Sequence, residues 1–436
     1  MIVVAAAAAA VVLSGDGLGE ASVPTTEVVV TLKAPAAGRS LASARTLAAV
    51  QAAVGRQIQA ALPAAEIRWR YLHVLDGFAV VLPANEVGAL ARVSGVANVW
   101  PNVRYHSLAV ALGPQQIGAD KLWGPNFETA GNGMKIGIID DGLDATHPYF
   151  NPSGFQYPAG FPKGLTQYTT PKVIVQRTFA PPTPSWKYAS TPFDPTASFH
   201  ATHVAGIAAG VNGTLAGGTS LSGVAPNAYL GNYKALTIPT PGFGLDGNSA
   251  EIAAAIEAAV SDGMNVINLS LGEPEVEPSR DLVVKAIEGA AAAGVVPVIA
   301  AGNDFSDFGY GSVSSPGNAP DAITVAAVNS RNVIADFSSA GPTPLSLQMK
   351  PDVSAPGVDV LSSLPAREGL WGTLSGTSMA TPHVAGGAAL LKERHPDWTV
   401  AQIKSALVQT GDAAHVASGP EASASREGGG VIDLPR

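Results

Sequence analysis

From Thr26 to His106 the apolar positions follow two periods. Four short runs with strand character, "TEVVVTL", "IRWRYLHVL", "FAVVLP" and "VANVWP", are interrupted by two stretches with helical spacing, "LASARTLAAVQAAVGRQIQAAL" and "NEVGALARV". The resulting order is strand, helix, strand, strand, helix, strand, which predicts a small ferredoxin-like α+β unit. The pair Asp76-Gly77 between the two middle strands predicts a tight hairpin there. Beyond residue 107 the pattern changes. Apolar runs such as "MKIGIID", "AYLGNYKAL", "MNVINLSL", "VVPVIAAGN" and "AITVAAV" alternate with Ala-rich helical ones such as "AEIAAAIEAAVSDG" and "DLVVKAIEGAAAAG". This alternation predicts an α/β domain with a parallel sheet wrapped by helices on both faces. Its functional residues are expected at the carboxyl ends of the strands.

Composition supports a compact globular chain of more than one unit. The chain has 436 residues, of which 46% are hydrophobic and 14% charged, with 48 Gly and 34 Pro for many tight turns. With no Cys, disulfides, thiolate metal sites and a Cys nucleophile are all excluded. Charge divides unevenly. Residues 24–106 carry eight Lys/Arg against four Asp/Glu, a net of +4, and residues 107–436 carry 17 against 28, a net of −11. Opposite signs favour docking of the smaller unit on the larger. Residues 2–13, "IVVAAAAAAVVL", are too short to span a bilayer but match the apolar core of an export signal, although no Lys or Arg precedes them. The expected division is a signal segment at 1–23, a small unit at 24–106 and a large domain at 107–436.

Three polar signatures interrupt the apolar runs where a strand ends or a helix begins. "IGIIDDGLDATHP" carries the chain out of a strand and delivers Asp140 into a Gly turn. "FHATHVAGIAAG" sets His200 at the start of a small-residue helix, and "LSGTSMATPHVAGGAALL" does the same for Ser378. Free amides and the positive dipole end at such a helix start favour developing negative charge. Singly, these residues read as a turn Asp, a polar helix-start residue and an N-cap. Jointly they are a nucleophile, its base and the group that orients the base. A fourth part, Asn303 at the end of "VVPVIAAGN", can donate its amide to an oxyanion at the same sheet edge. His200 and His203 are spaced i, i+3, but no Glu follows as zinc peptidase motifs require. His147, His203 and His383 are expected to serve structure.

Here the chain resembles the subtilisin-like serine proteases, the subtilase family. "IIDDGLDATHP", "HATHVAG", "GTSMATPHVAG" and "AAGN" match the family's Asp, His, Ser and oxyanion motifs, and "GVAPNAYL", "VINLSLG" and "KPDVSAPG" match its framework. Residues 24–106 resemble its inhibitor-like propeptide. The resemblance implies Ser378 as nucleophile, His200 as general base and then acid, Asp140 as orienter, and Asn303 with the Ser378 N–H as oxyanion hole. It implies that Ser270, Leu271 and Gly272 pair with the substrate backbone, and that Ala300, Ala301 and Gly302 line the pocket for the residue before the scissile bond.

The chain departs from the family at several positions. Ala201 stands where Gly is common, Asp141 where Thr or Ser is frequent, and Tyr149 where many members keep an Asp that binds calcium, so that calcium site is not carried over. The longer interval between Asp140 and His200 is expected to hold a loop or flap, "YTTPKVIVQRTFAPPTPSWKYASTPFDP". The resemblance therefore implies a secreted endopeptidase synthesised as a self-processing proenzyme, with no cofactor for catalysis and with a structural calcium left open but not supported at Tyr149. Its expected partners are a protein or peptide substrate and its own propeptide. No nucleic acid, no membrane for the mature form and a monomeric state are expected. The rivals are an acid peptidase of sedolisin type, disfavoured by "HATHVAG", and an inactive binding module that keeps the fold.

Overall fold

The computed structural model describes residues 24–33, 44–107, 113–241 and 244–436. The expected signal segment at 1–23 lies outside the described residues, as do residues 108–112 of the stretch that links the two units.

The smaller unit runs β1 (Thr25–Leu32), α1 (Ala44–Ala61), β2 (Glu66–Tyr71), β3 (Gly77–Pro83), α2 (Val87–Leu90) and β4 (Val96–Pro101). Its sheet has the order β2-β3-β1-β4, with antiparallel pairing throughout, which is the ferredoxin-like arrangement expected from the sequence. Alternation along β1 explains how the sheet is covered. Val28, Val30 and Leu32 pack with Val54 and Ile58 of α1, whereas Val29 turns the other way and joins a core built by the larger unit. Both faces are thus buried, one by the unit's own helices and one by docking.

The link between β2 and β3 is not a tight hairpin. The register pairs Tyr71 with Gly77 and leaves Leu72 to Asp76 as a five-residue loop. The loop is held open because the amides of Leu72, His73 and Val74 are all taken by the carboxylate of Glu257 in the larger unit. Gly77 sits inside β3, where a Cβ would fall 2.0 Å from the Val30 carbonyl oxygen. It serves a close backbone approach rather than a turn.

A further strand, β5 (Arg104–Ser107), leaves the smaller unit. The larger unit then begins with β6 (Lys135–Asp140), β7 (Lys163–Gly164) and β8 (Val173–Thr178), followed by α3 (His200–Ala209) and the hairpin of β9 (Thr214–Ala216) and β10 (Thr219–Leu221). Next come β11 (Tyr229–Lys234), β12 (Ile238–Thr240), β13 (Gly244–Asn248), α4 (Ser249–Asp262), β14 (Val266–Leu269), β15 (Leu271–Gly272) and α5 (Leu282–Ala292). The last part holds β16 (Val296–Ala300), α6 (Phe305–Phe308), β17 (Ile323–Val328), β18 (Val353–Pro356), β19 (Val360–Ser363), β20 (Trp371–Leu374), α7 (Thr377–Arg394), α8 (Val400–Gln409) and α9 (Ala424–Glu427).

Eight of these strands form one sheet in the order β18-β17-β16-β14-β6-β11-β8-β7, and every neighbouring pair is parallel. Ile136 and Ile138 of β6 face a core shared with α3 and α7, while Ile139 faces one shared with α4 and α5. The sheet is therefore covered on both sides, as the near-continuous apolar runs require. Strand order reverses at β6, whose last residue is Asp140.

One expectation is corrected by β8. The stretch expected as a flap contains "VIVQRT", and its Val173 to Gln176 are buried in the main sheet beside β11. The loop is confined to the residues before Val173 and from Phe179 onward, because the buried Val and Ile of "VIV" lose more water-exposed area in the sheet than in a surface excursion.

Candidate active site

Four segments bring the candidate residues to one edge of the sheet. Asp140 ends β6, His200 is the first residue of α3, Asn303 follows β16, and Ser378 is the second residue of α7, which packs on α3. The Nδ1–H of His200 donates to Asp140, at 2.8 Å from Oδ2 and 3.0 Å from Oδ1. Both residues are 1% exposed or less. Asp140 Oδ1 also accepts from the Asp141 N–H at 2.6 Å, so the carboxylate is held from its own turn as well as by the imidazole.

Ser378 is buried at the start of α7, and its hydroxyl donates to the Ser270 carbonyl at 3.3 Å. Ser270 answers with a hydroxyl bond to the Ser378 carbonyl at 2.8 Å and accepts at its own Oγ from Asn268 Nδ2 at 2.9 Å. Asn303 is anchored by its oxygen. Oδ1 accepts from the Thr377 N–H at 2.9 Å and from the Thr377 hydroxyl at 3.1 Å. With the oxygen so occupied, the amide nitrogen is the end left to reach a reacting group.

Ser270, Leu271 and Gly272 form one side of a cleft and β13 the other. Strand β5 lies between them: Tyr105 pairs with Gly247 and Arg104 with Asn248, while Ser107 pairs with Leu271 and His106 with Gly272, all antiparallel. An extended peptide thus completes a sheet in the order β12-β13-β5-β15, the mode by which a sheet edge binds a peptide through its backbone. Ala300, Ala301 and Gly302 are buried beside this edge. A Cβ on Gly272 would fall 2.6 Å from Ser314 Oγ, and one on Gly302 would fall 2.8 Å from Ser339 Oγ and 2.9 Å from Ser314 Oγ. The absence of both Cβ atoms lets Ser314 pack closely against both backbones.

The other three motif histidines are engaged by the backbone. His147 donates from Nε2 to the Leu370 carbonyl at 2.8 Å and accepts at Nδ1 from the Tyr149 N–H. His203 contacts the Val360 and Gly372 carbonyls through Nε2, and burial pushes its imidazole down to about 3. His383 donates from Nδ1 to the Met379 carbonyl and accepts from the Gly113 N–H, and burial pushes it down to about 4. At the position of the family's calcium Asp, the Tyr149 ring lies buried against Gly206 and Gly210 and edge-on to Trp371. Burial pushes its phenol to higher pKa. Among the described residues no group of His, Asp and Glu is arranged to hold a metal ion.

Two residues of this site, Thr377 and Ser314, have no role in the sequence reading, and Asp141 stands out there only as a departure from the family beside Asp140. Thr377 had a signal, being the hydroxyl residue directly before Ser378. Ser314 had none, and the backbone partners of Asp141 stayed hidden because they lie some 60 residues away.

Comparison with known proteins agrees with this geometry. A family model described as the subtilase family matches residues 131–430. The chain belongs to the subtilase family. A second model, peptidase inhibitor I9, matches residues 27–107. Among relatives, Subtilisin E of Bacillus subtilis is 35% identical over 338 residues, covering 77% of this chain and 75% of its own length. Subtilisin of Bacillus pumilus is 36% identical, covering 69% and 91%, and an alkaline protease of Alkalihalobacillus alcalophilus is 36% identical, covering 79% and 77%. This subtilase is therefore a serine endopeptidase carrying an inhibitor-type propeptide domain.

Proposed function

We propose that this subtilase is a secreted endopeptidase made as a self-cleaving proenzyme, with residues 24–106 as propeptide and residues 107–436 as catalytic domain. Ser378 is the nucleophile. Its hydroxyl proton passes to His200 Nε2 as Oγ attacks the scissile carbonyl, and Asp140 holds the Nδ1–H tautomer and stabilises the imidazolium. The oxyanion receives the Asn303 amide and the Ser378 N–H at the start of α7. His200 then returns the proton to the leaving amine, and water repeats the sequence on the acyl-enzyme.

The observation that carries this reading is the pairing of β5 with both β13 and β15. It supplies an extended peptide whose register stops one residue short of Ser270, the residue that bonds Ser378. Substrates are read the same way: backbone pairing to Ser270, Leu271 and Gly272 gives affinity, and the pocket beside Ala300, Ala301 and Gly302 receives the residue before the scissile bond. Self-cleavage is expected between about Val103 and Leu112, a window of which residues 108–112 lie outside the described residues. The apolar core at residues 2–13 supports export, and the mature enzyme is expected to act as a monomer without nucleic acid, membrane or catalytic cofactor.

Fluorophosphonate labelling of the folded protein tests the reading. Label on Ser378, absent in Ser378→Ala, with an uncut Ser378→Ala precursor beside a wild-type product starting in that window, is expected. A folded wild-type chain that takes no label is instead an inactive binding module.

A further inference from the structure

We propose that Asp141 is a positioning residue for His200, capping the start of α3 so that the main chain carrying the imidazole is fixed by one carboxylate while Asp140 fixes the ring. The proposal rests on the peptidase reading of Asp140, His200 and Ser378.

A helix begins with amides that have no partner within it, and a side-chain oxygen at the N-cap usually takes one of them. Phe199, the N-cap of α3, has no such oxygen. The acceptor comes instead from Asp141, 2% exposed, at the far end of the Asp140-Asp141-Gly142 turn. Its Oδ2 accepts from the Phe199 N–H at 2.9 Å and the His200 N–H at 3.1 Å, and its Oδ1 from the Ala201 N–H at 2.8 Å. The hydroxyl of Ser198 donates to the Asp141 carbonyl and ties the residue before Phe199 to the same turn. Two consecutive carboxylates thus grip one histidine, Asp140 by its ring and Asp141 by its backbone. They are locked to each other through the Asp141 N–H.

The carboxylate also sets charge. It is faced by Asp140 at the end of β6, by His200 on α3 and by Lys234 on β11, whose ammonium also meets Asp194 from the loop and donates to the Tyr188 carbonyl. His200 is faced in turn by His203 on its own helix, while His383 on α7 faces His203. Burial, then the Asp140 charge, pushes Asp141 up to about 6, with His200 and the α3 amides opposing. Above that pH a second anion stands beside the imidazole and favours its protonated form.

The test compares the wild type with Asp141→Ala and Asp141→Asn. In self-processed enzyme counted by fluorophosphonate titration, Asp141→Ala is expected to lower kcat by about 10- to 100-fold with KM changed less than about twofold, since a 1 Å misplacement costs on the order of 10²-fold. Asp141→Asn keeps one acceptor oxygen and loses less kcat. In both, the acid limb of kcat/KM moves to lower pH, because the imidazolium loses an anion. The same shift, on the order of half a pH unit or more, is expected for the His200 ring followed by NMR in full-length Ser378→Ala chains with and without Asp141→Asn. That titration needs no activity, so it decides the proposal even if the wild type takes no label and the peptidase reading fails. If Asp141→Ala does not accumulate as folded protein, Asp141→Asn decides. A lowered Tm with unchanged kcat, acid limb and His200 midpoint overturns the proposal.

Discussion

Asn303 and Thr377 are joined by two hydrogen bonds to a single oxygen: Asn303 Oδ1 accepts from both the backbone N–H and the hydroxyl of Thr377. Thr377 therefore holds the amide whose other end would, in the proposed mechanism, serve the oxyanion beside Ser378. Because that amide acts on the transition state, Asn303→Ala is expected to lower kcat by roughly 10²–10³ with little change in KM. Thr377→Val removes one of the two holding bonds and is expected to cost about 10-fold in kcat, since the donor remains but is less well aimed. Steady-state kinetics on both variants check this, and a pure KM effect would assign Asn303 to ground-state binding.

Glu257 is one of the groups that join the two units. Its carboxylate, 8% exposed, takes the N–H groups of Leu72 and His73 at 2.7 Å each and of Val74 at 2.8 Å. Removing the acceptor in Glu257→Ala leaves these amides unpaired in the docked state, at a cost of about 1–3 kcal/mol or more. The processed complex is then expected to release its N-terminal unit some 5- to 150-fold more readily. Uptake of fluorophosphonate by the isolated complex, slow while the cleft is filled, measures this release. An unchanged rate would mean that the loop does not hold the units together.

The sequence displayed most of this architecture, for reasons visible in particular residues. Asp140 and Asn303 were legible because each ends a buried apolar run, and His200 and Ser378 because each opens a helix of small residues. The fold of the N-terminal unit followed from the order of its strand and helix runs, whereas the opposed faces of Val28 and Val29 within "VVV" emerge only in the packed structure. What stayed hidden depended on contacts between distant segments. The Asp76-Gly77 pair reads as a hairpin until Glu257, some 180 residues away, is seen to take the loop's amides. "VIVQRT" sits among turn residues and becomes a strand only because β11 offers it an edge. Asp141 looks like a turn residue until α3 folds back over it.

Beneath the His helix, one buried aromatic ring packs against two glycines. Tyr149 is 2% exposed, with its ring against Gly206 and Gly210. A Cβ on Gly210 would meet Tyr149 Cζ at 2.2 Å, so Gly210→Ala is expected to destabilise the fold by about 1–3 kcal/mol through overpacking. Tyr149→Ala opens a cavity and is expected to cost about 3–5 kcal/mol, taking the values for large aromatic residues. Thermal unfolding of Ser378→Ala chains, free of self-digestion, measures both. Activity in a short assay is expected to survive a chelator, since in the proposed mechanism His200 and Asp140 activate Ser378 directly. Rapid loss restored by zinc would overturn that mechanism.

The last prediction concerns pH and the hold of the propeptide. Arg68 of β2 bridges Glu27 of β1 and Glu251 of α4, with Asn102 donating to the other oxygen of Glu27 and Asn248 to that of Glu251. The three charged groups are 14%, 4% and 1% exposed at their side chains, so two carboxylates share one cation out of water. Burial, then the charge of Glu251, pushes Glu27 up to about 8, against the opposing pull of Arg68. A carboxyl whose value is raised in the docked state holds a proton that the undocked one, near its ordinary 4.5, has already lost. Docking is therefore tightest at low pH. It weakens as pH climbs from about 4.5 towards 8, by at most about tenfold per pH unit for one proton, and is level above that. Release of the N-terminal unit from the processed complex, read as fluorophosphonate uptake divided by that of the freed enzyme at each pH, should rise across this window. Glu27→Gln keeps the shape, removes the charge and is expected to flatten the rise and slow release at pH 8. A rise of the same steepness in Glu27→Gln would move the pH dependence to another group.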